Sequence, residues 1–258
     1  MESRVSYKST IYACYLGNFV QSIVINLTPI LFVPIMVIYD LNIASLGVLA
    51  AVNFITQVLA DVLLSKSVDK YGFRKFVVIA PIIALMGFVI FLLSPQIFPK
   101  DPMKGFLIGT IIFSCSGGML EILLSPIIND IPSDEKMQAM NVLHSFYAWG
   151  QLCVIIVTTL LLKLFGTSYW QWIVLFWCIF PIVSSILFFK VPLVEVIGEE
   201  NQMPNKDIAK GKYFILGINS IFTKLTIEQI RLREGMMAGI IFPISAFFTL
   251  RQIIKFKI

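Results

Sequence analysis

Long stretches without a charged residue constrain this chain more than any other feature. Short clusters of Lys, Arg, Asp and Glu separate six such windows: residues 9–39, 41–60, 76–99, 105–129, 137–162 and 164–189. Only Glu121 interrupts one of them. A helix needs about 20 apolar residues to cross the hydrocarbon core of a bilayer, so each window is long enough to span.

The composition agrees with an integral membrane protein. Hydrophobic residues make up 58% and charged residues 14%, against about 25% charged in soluble domains. Mean hydropathy is +0.88, which excludes a soluble globular domain and a disordered chain. Barrel strands would alternate polar and apolar residues, whereas these windows are continuously apolar, so we expect an all-α membrane protein with six transmembrane helices.

The first window is longer than one span needs. Pro29 and Pro34 favour a kink or a break near its end. A cleaved secretory leader is the alternative interpretation, but its apolar region would be shorter.

Lysine and arginine predict the orientation, because they accumulate in cytoplasmic loops. If the N-terminus is cytoplasmic, Lys100, Lys104 and Lys163 lie outside, and the inner side holds Arg4, Lys8, Lys66, Lys70, Arg74, Lys75, Lys136, Lys190, Lys206, Lys210 and Lys212. The net charge of +5 therefore needs no nucleic-acid partner. Tyr169, Trp170 and Trp172 are expected as interfacial aromatics at the outer start of the sixth span.

The pattern changes after Pro192. We expect residues 1–191 to form the six-helix transmembrane part and residues 192–258 a cytoplasmic linker with an irregular tail. Residues 236–250 are apolar but short for a span and contain Pro243, so a short or re-entrant membrane segment stays open there.

Glu121 is the main candidate functional residue. An ionised carboxylate in mid-span costs at least about 2.5 kcal/mol, so such a residue usually faces a cavity and binds substrate or a proton. A protonated or paired structural carboxylate is the alternative. Helical spacing places Ser114, Gly118 and Ser125 on the same face.

Other polar residues within the spans are candidates to line that cavity: Asn26 in the first span, Asn53 and Gln57 in the second, and His144 in the fifth. Asp61 shares the face of Asn53 and Gln57 and lies near the inner end, where it can belong to a gate or be a solvated helix-end charge. A lone histidine is more often a hydrogen-bonded structural residue. We expect no metal site and no cofactor, because the chain has one histidine and no nucleotide-binding motif.

The segment from Ser65 to Lys75 reads S-K-S-V-D-K-Y-G-F-R-K. It resembles the loop between the second and third helices of the major facilitator superfamily, roughly G-x-L-x-D-R-x-G-R-[RK]. The resemblance implies a cytoplasmic gate motif formed by Asp69, Gly72 and Arg74, in which the glycine permits a tight turn. Ser65 replaces the first glycine of the pattern, and Phe73 replaces a basic residue.

A second stretch is similar to the sugar-permease branch of this superfamily, which includes the fucose–proton symporters. Glu121 and Pro126 match the fourth-helix pattern, and Asn141, His144 and Gly150 match the start of the fifth helix. Asn26 stands as the mid-span polar residue of the first helix, where the branch has an aspartate.

The resemblance covers residues 10–190 and implies one half of a twelve-helix transporter, built as two inverted three-helix repeats. It implies alternating-access transport of a small polar solute such as a sugar, with possible proton coupling, in a bacterial plasma membrane. Three alternatives stay open. The chain can be a truncated or frame-disrupted half without activity, a half that pairs with a missing second half or a second copy, or a membrane enzyme using Glu121 and His144 as acid and base.

Overall fold

The computed structural model describes residues 7–132 and 136–193, except for the side chains of residues 66 and 69. These residues belong to one compact unit, Met1–Ile197. The predicted tail at 192–258 lies outside the described residues from position 194 onward, and so does the apolar segment at 236–250. Its predicted organisation therefore stays a prediction.

Every regular element in the described ranges is helical. The helices are α1 (Lys8–Tyr39), α2 (Ile43–Tyr71), α3 (Phe73–Leu92), α4 (Ser94–Ile97), α5 (Pro102–Asp130), α6 (Lys136–Phe165), α7 (Trp170–Trp177) and α8 (Ile179–Lys190), with a 3-10 turn at Thr167–Tyr169 between α6 and α7. Six stretches are long and apolar enough to cross a membrane, and the sixth runs from Thr167 to Lys190 through α7 and α8. This part of the chain confirms the predicted all-α membrane fold.

The helices differ from the expectations in two places. α1 runs through Pro29 and Pro34 as one helix, so the predicted break is absent, while the predicted kink stays a prediction. Leu31, Pro34 and Ile35 are buried, so packing stabilises the helix where the second proline removes a backbone hydrogen bond. The segment predicted as a loop between the second and third spans is helical except for Gly72.

One expected interfacial aromatic is instead a core residue. Trp170 is only 1% exposed, whereas Tyr169 and Trp172 are exposed. The Trp170 ring lies 5.8 Å from that of Phe106 and 6.1 Å from that of Phe91, measured between centroids. These edge-on contacts join α7 to α5 and α3.

The packing has the pattern of two interlocked repeats. α1 packs against α6, and α5 packs against α2, so the first helix of each three-span set contacts the second helix of the other set. α5 begins at the membrane face opposite to the one where α1 begins, because three crossings separate them. The two sets are therefore inverted relative to each other, as the family resemblance implies.

Charged residues distinguish the two ends of the bundle. The end at which α1, α3 and α6 begin carries Lys8, Lys70, Arg74, Lys75, Lys136 and Lys190, and we call it the basic end. The opposite end carries Lys100, Lys104 and Lys163.

α3 and α5 approach each other closely at two glycines. A Cβ atom added to Gly87 would lie 2.4 Å from the Phe113 backbone nitrogen, and one added to Gly109 would lie 2.9 Å from the Gly87 carbonyl oxygen. Backbone lies against backbone here, so a side chain fits at neither position without separating the helices.

We predict that Gly87→Ala lowers the free energy of unfolding by about 1–3 kcal/mol, the usual cost of overpacking. Thermal unfolding in detergent measures it. Gly47→Ala is the matched control, because nothing lies within 4 Å of a Cβ added there. Equal effects of the two substitutions would contradict the close α3–α5 contact.

Candidate functional site

Glu121 lies exposed on α5, next to α1. The Gln21 side chain of α1 is only 6% exposed, and its Nε2 lies 3.5 Å from Glu121 Oε2 as a hydrogen-bond donor. A buried amide thus holds one oxygen of the carboxylate, and the rest of the group stays accessible. The Gln21–Glu121 pair is the candidate functional site.

Asn53 and Gln57 take part in a different set of bonds, a buried polar network between α2 and α5. Gln57 Nε2 donates to Asn53 Oδ1 at 2.6 Å, and Ser114 Oγ donates to the same oxygen at 2.8 Å. Asn53 Nδ2 in turn donates to the Val24 carbonyl of α1 at 3.3 Å. The network joins three helices, and a role of Asn53 and Gln57 in solute binding stays a prediction.

Gly118 permits the close contact of α5 with this face of α2. A Cβ atom at Gly118 would lie 2.5 Å from the Gln57 carbonyl oxygen and 2.7 Å from Asp61 Oδ1. Asp61 therefore lies against α5, on the same face of α2 as Asn53 and Gln57, as its spacing predicts. Ser114 and Gly118 are buried while Glu121 is exposed, so the predicted polar stripe of α5 divides into a packed part and an accessible part.

No hydrogen bond is described between the Gln21–Glu121 pair and either Asn26 or His144. Asn26 is half-buried, and its Nδ2 donates to the Ser22 carbonyl of its own helix at 2.8 Å. His144 is exposed on α6.

Sequence reasoning missed the polar ladder that binds α1 to α6. Tyr15, Asn18 and Ser22 of α1 donate to successive carbonyls of α6, those of Ala139 at 3.3 Å, Leu143 at 2.7 Å and Tyr147 at 3.0 Å. The three donors recur at helical spacing on one face of α1, which was the available signal. The ladder fixes the register of α6 and thereby the position of His144.

The gate motif forms a one-residue joint at the basic end. Gly72 has φ 86° and ψ 148°, and its N–H donates to the Val68 carbonyl at the end of α2. A Cβ at Gly72 would meet nothing within 4 Å, so the backbone angle and not space selects glycine. Phe73 is buried in the core, which explains why a basic residue is absent at this position of the motif.

Arg74 connects α3 to α8. Its Nη2 donates to the Phe189 carbonyl at 3.3 Å, in the last turn of α8, where a cation also complements the helix dipole. The backbone of Asp69 belongs to the end of α2, but its side chain lies outside the described atoms. The part of Asp69 in the gate stays a prediction.

The described residues contain no group of three or more His, Cys, Asp or Glu side chains able to hold a metal ion. Cys14, Cys115, Cys153 and Cys178 are free thiols. The arrangement around Glu121 offers hydrogen bonding and proton binding through a carboxylate and an amide.

The sequence model of the Major Facilitator Superfamily matches residues 14–255. The chain belongs to this superfamily. The match confirms the family predicted from the gate motif and the fourth and fifth spans. No curated protein matches the chain.

Solved structures of the xylose transporter XylE share the fold. The inward-open form from E. coli has a TM-score of 0.63 at 17% identity and covers 90% of this chain and 57% of that one. The partially occluded inward-open form from E. coli has 0.65 at 16%, covering 72% and 48%. The proton:xylose symporter XylE bound to 6-bromo-6-deoxy-D-glucose has 0.64 at 17%, covering 72% and 44%. The chain spans about half the length of these proteins.

We predict that Asn53→Ala lowers the free energy of unfolding by about 1–3 kcal/mol, because it leaves the donors of Gln57 and Ser114 without their acceptor. Chemical or thermal unfolding in detergent measures this. Asn141→Ala is the control, since Asn141 is exposed on α6 and such substitutions stay within about 0.5 kcal/mol. A loss no larger than that of the control would show that the network does not stabilise the bundle.

Proposed function

We propose that this superfamily member moves a small polar solute, a sugar, across the membrane by alternating access with proton coupling. The observation that carries the proposal is the accessible Glu121 carboxylate, held by Gln21 in the middle of a span. Facing hydrocarbon would cost an ionised carboxylate at least about 2.5 kcal/mol, so an aqueous cavity is its favourable surrounding. The similarity in fold to proton:xylose symporters supports a sugar and a proton as cargo.

The Gln21–Glu121 pair supplies a simple means of coupling. An ionised carboxylate only accepts hydrogen bonds, and a bond from an amide to a charged acceptor is stronger than one to a neutral acceptor. Protonation of Glu121 weakens the bond from Gln21 and gives the carboxyl group a donor of its own. Both side chains then become available to sugar hydroxyls, so proton binding favours solute binding at the same place.

The other candidate residues take different parts in this proposal. His144 is exposed, so it can line a cavity without a rearrangement. Asn26 lies five residues from Gln21, about 140° around α1, so it reaches the same cavity only in a state in which α1 has rotated. Asn53 and Gln57 are engaged between α2 and α5, so they reach a solute only in a state in which these helices separate. We propose that Asp61, Asp69, Gly72 and Arg74 form the inner gate, where the Arg74 contact with α8 is the described part.

A central site needs an opposing wall. Glu121 is exposed in the described unit. α2 and α6 each pack against the bundle along a narrow face and leave apolar side chains exposed on the rest of their surface, among them Val62, Leu63, Leu160 and Leu164. We propose that a second six-helix unit covers these faces, supplied by a second half or a second copy. The alternative is a half without transport activity on its own. Uptake into vesicles together with intermolecular cross-linking separates these two cases.

Family membership favours transport over catalysis. Glu121 and His144 lie on different helices, α5 and α6, and the hydrogen bond described for the Glu121 carboxylate is with Gln21. An acid–base pair acting on one substrate would need both groups at the same reacting atoms.

We predict that Glu121→Gln abolishes proton-driven sugar accumulation in vesicles, because the amide cannot bind a proton. Counterflow of sugar without a proton gradient is expected to continue. Asp101→Asn is the matched control, because this carboxylate pairs with Lys104 at the surface, at 3.4 Å. Wild-type accumulation by Glu121→Gln would refute the assigned role.

We also predict that the basic end is cytoplasmic. A cysteine at exposed Ser9 should react with a membrane-impermeant maleimide only after the cells are opened, whereas one at exposed Gln96, near the opposite end, should react in intact cells. Both variants are made in a chain whose four native cysteines are replaced by serine. The reverse pattern would overturn the orientation.

A further inference from the structure

A cleft of about 280 Å³ lies between the first turns of α1 and α6 at the basic end. The α1 residues Lys8, Ile11, Tyr12 and Tyr15 line one side, and Gln138 and Val142 of α6 line the other. None of these six residues belongs to the Gln21–Glu121 pair or to the gate motif. We call this space the basic-end cleft.

The Tyr12 side of the basic-end cleft faces away from the candidate transport site. Tyr12 and Gln21 are nine residues apart on α1, which at about 100° per residue places them on opposite sides of the helix. Gln21 turns toward Glu121, whereas Tyr12 is 67% exposed beside the cleft.

The wall of the cleft is fixed before any ligand arrives. Tyr15 is 8% exposed, its hydroxyl donates to the Ala139 carbonyl, and its ring stacks on Phe146 with 4.9 Å between centroids. The Tyr15–Ala139 bond, which belongs to the α1–α6 ladder, therefore also holds one wall of the cleft in place. Preformed clefts of this kind are the usual form of a ligand site.

The lining combines one cation, neutral hydrogen-bond donors and apolar surface. Lys8 provides an ammonium group, Tyr12 a hydroxyl and Gln138 an amide, while Ile11 and Val142 are apolar. α1 and α6 both begin at this end, so the positive ends of two helix dipoles add to the charge of Lys8. A ligand that combines an anionic group with an apolar part would complement the charge, the hydrogen-bond donors and the apolar surface of this lining.

We propose that the basic-end cleft binds the phosphodiester headgroup of an anionic phospholipid. The phosphate lies at Lys8 and the Gln138 amide, and the glycerol lies against Tyr12, Ile11 and Val142. The protein crosses the bilayer, so anionic phospholipids surround it. Basic pockets between transmembrane helices are suited to such headgroups. Inorganic phosphate shares the charge but lacks the part that contacts the apolar wall.

The test measures lipid binding to the purified full chain in neutral detergent. Phosphatidylglycerol is titrated, and the retained lipid is counted by native mass spectrometry. Lys8→Gln is expected to weaken binding about five-fold, the usual contribution of one basic residue near an anionic lipid. Val142→Trp fills the cleft and should abolish the bound lipid, and its unfolding temperature is recorded to confirm that it folds. Lys163→Gln, at the opposite end of α6, is the matched control and should bind as the wild type does.

Three outcomes would overturn the proposal. The first is that phosphatidylcholine is retained as well as phosphatidylglycerol. The second is that Lys8→Gln and Lys163→Gln weaken phosphatidylglycerol binding equally. The third is that inorganic phosphate, at the same concentration as the lipid, displaces it. Glu121→Gln should retain phosphatidylglycerol fully. Its retention keeps this result independent of whether the transport site is assigned correctly.

Discussion

The structure depends on the absence of water in the hydrocarbon core, which obliges polar groups in the spans to find partners within the protein. The α1–α6 ladder meets this demand by directing side-chain donors at main-chain carbonyls. The Asn53 network meets it between α2 and α5. Ser116 does the same between α5 and α3, through the Ala80 carbonyl. Such bonds fix the register of helices whose apolar surfaces alone would slide against each other.

Glu121 differs from these residues in its exposure and in its hydrogen bonding. The polar groups of the α1–α6 ladder and of the Asn53 network are buried and have partners within the bundle, whereas Glu121 has one amide partner and an accessible carboxylate. The same helix thus contains both kinds of position, with Ser114 inside the contact and Glu121 outside it. This contrast on α5 is the strongest structural argument for a solute route beside it.

Much of the fold could be predicted from the sequence because hydrocarbon thickness imposes a minimum length on every charge-free window. Helix packing could not, because it depends on which small residues meet. Gly87 and Gly109 look ordinary in the sequence, and only their mutual approach shows why α3 and α5 are in close contact. The candidate site was recognisable at Glu121, since a mid-span carboxylate is rare. Its partner Gln21 was not recognisable as such, because nothing local relates positions a hundred residues apart. For the same reason Asn53 and Gln57 looked alike as cavity residues until their shared bonds with Ser114 were seen.

Gly72 has a mechanical consequence for the whole basic end. With a single residue between α2 and α3, the adjoining ends of the two helices must move together, whatever the angle between the helices. Arg74 attaches α3 to the last turn of α8, and the Thr10 hydroxyl attaches the residues just after α8 to the start of α1, through the Pro192 carbonyl at 2.5 Å. Short connections thus join α2 to α3, α3 to α8 and α8 to α1 at the basic end. A displacement of one of these four helices there is expected to displace its neighbours.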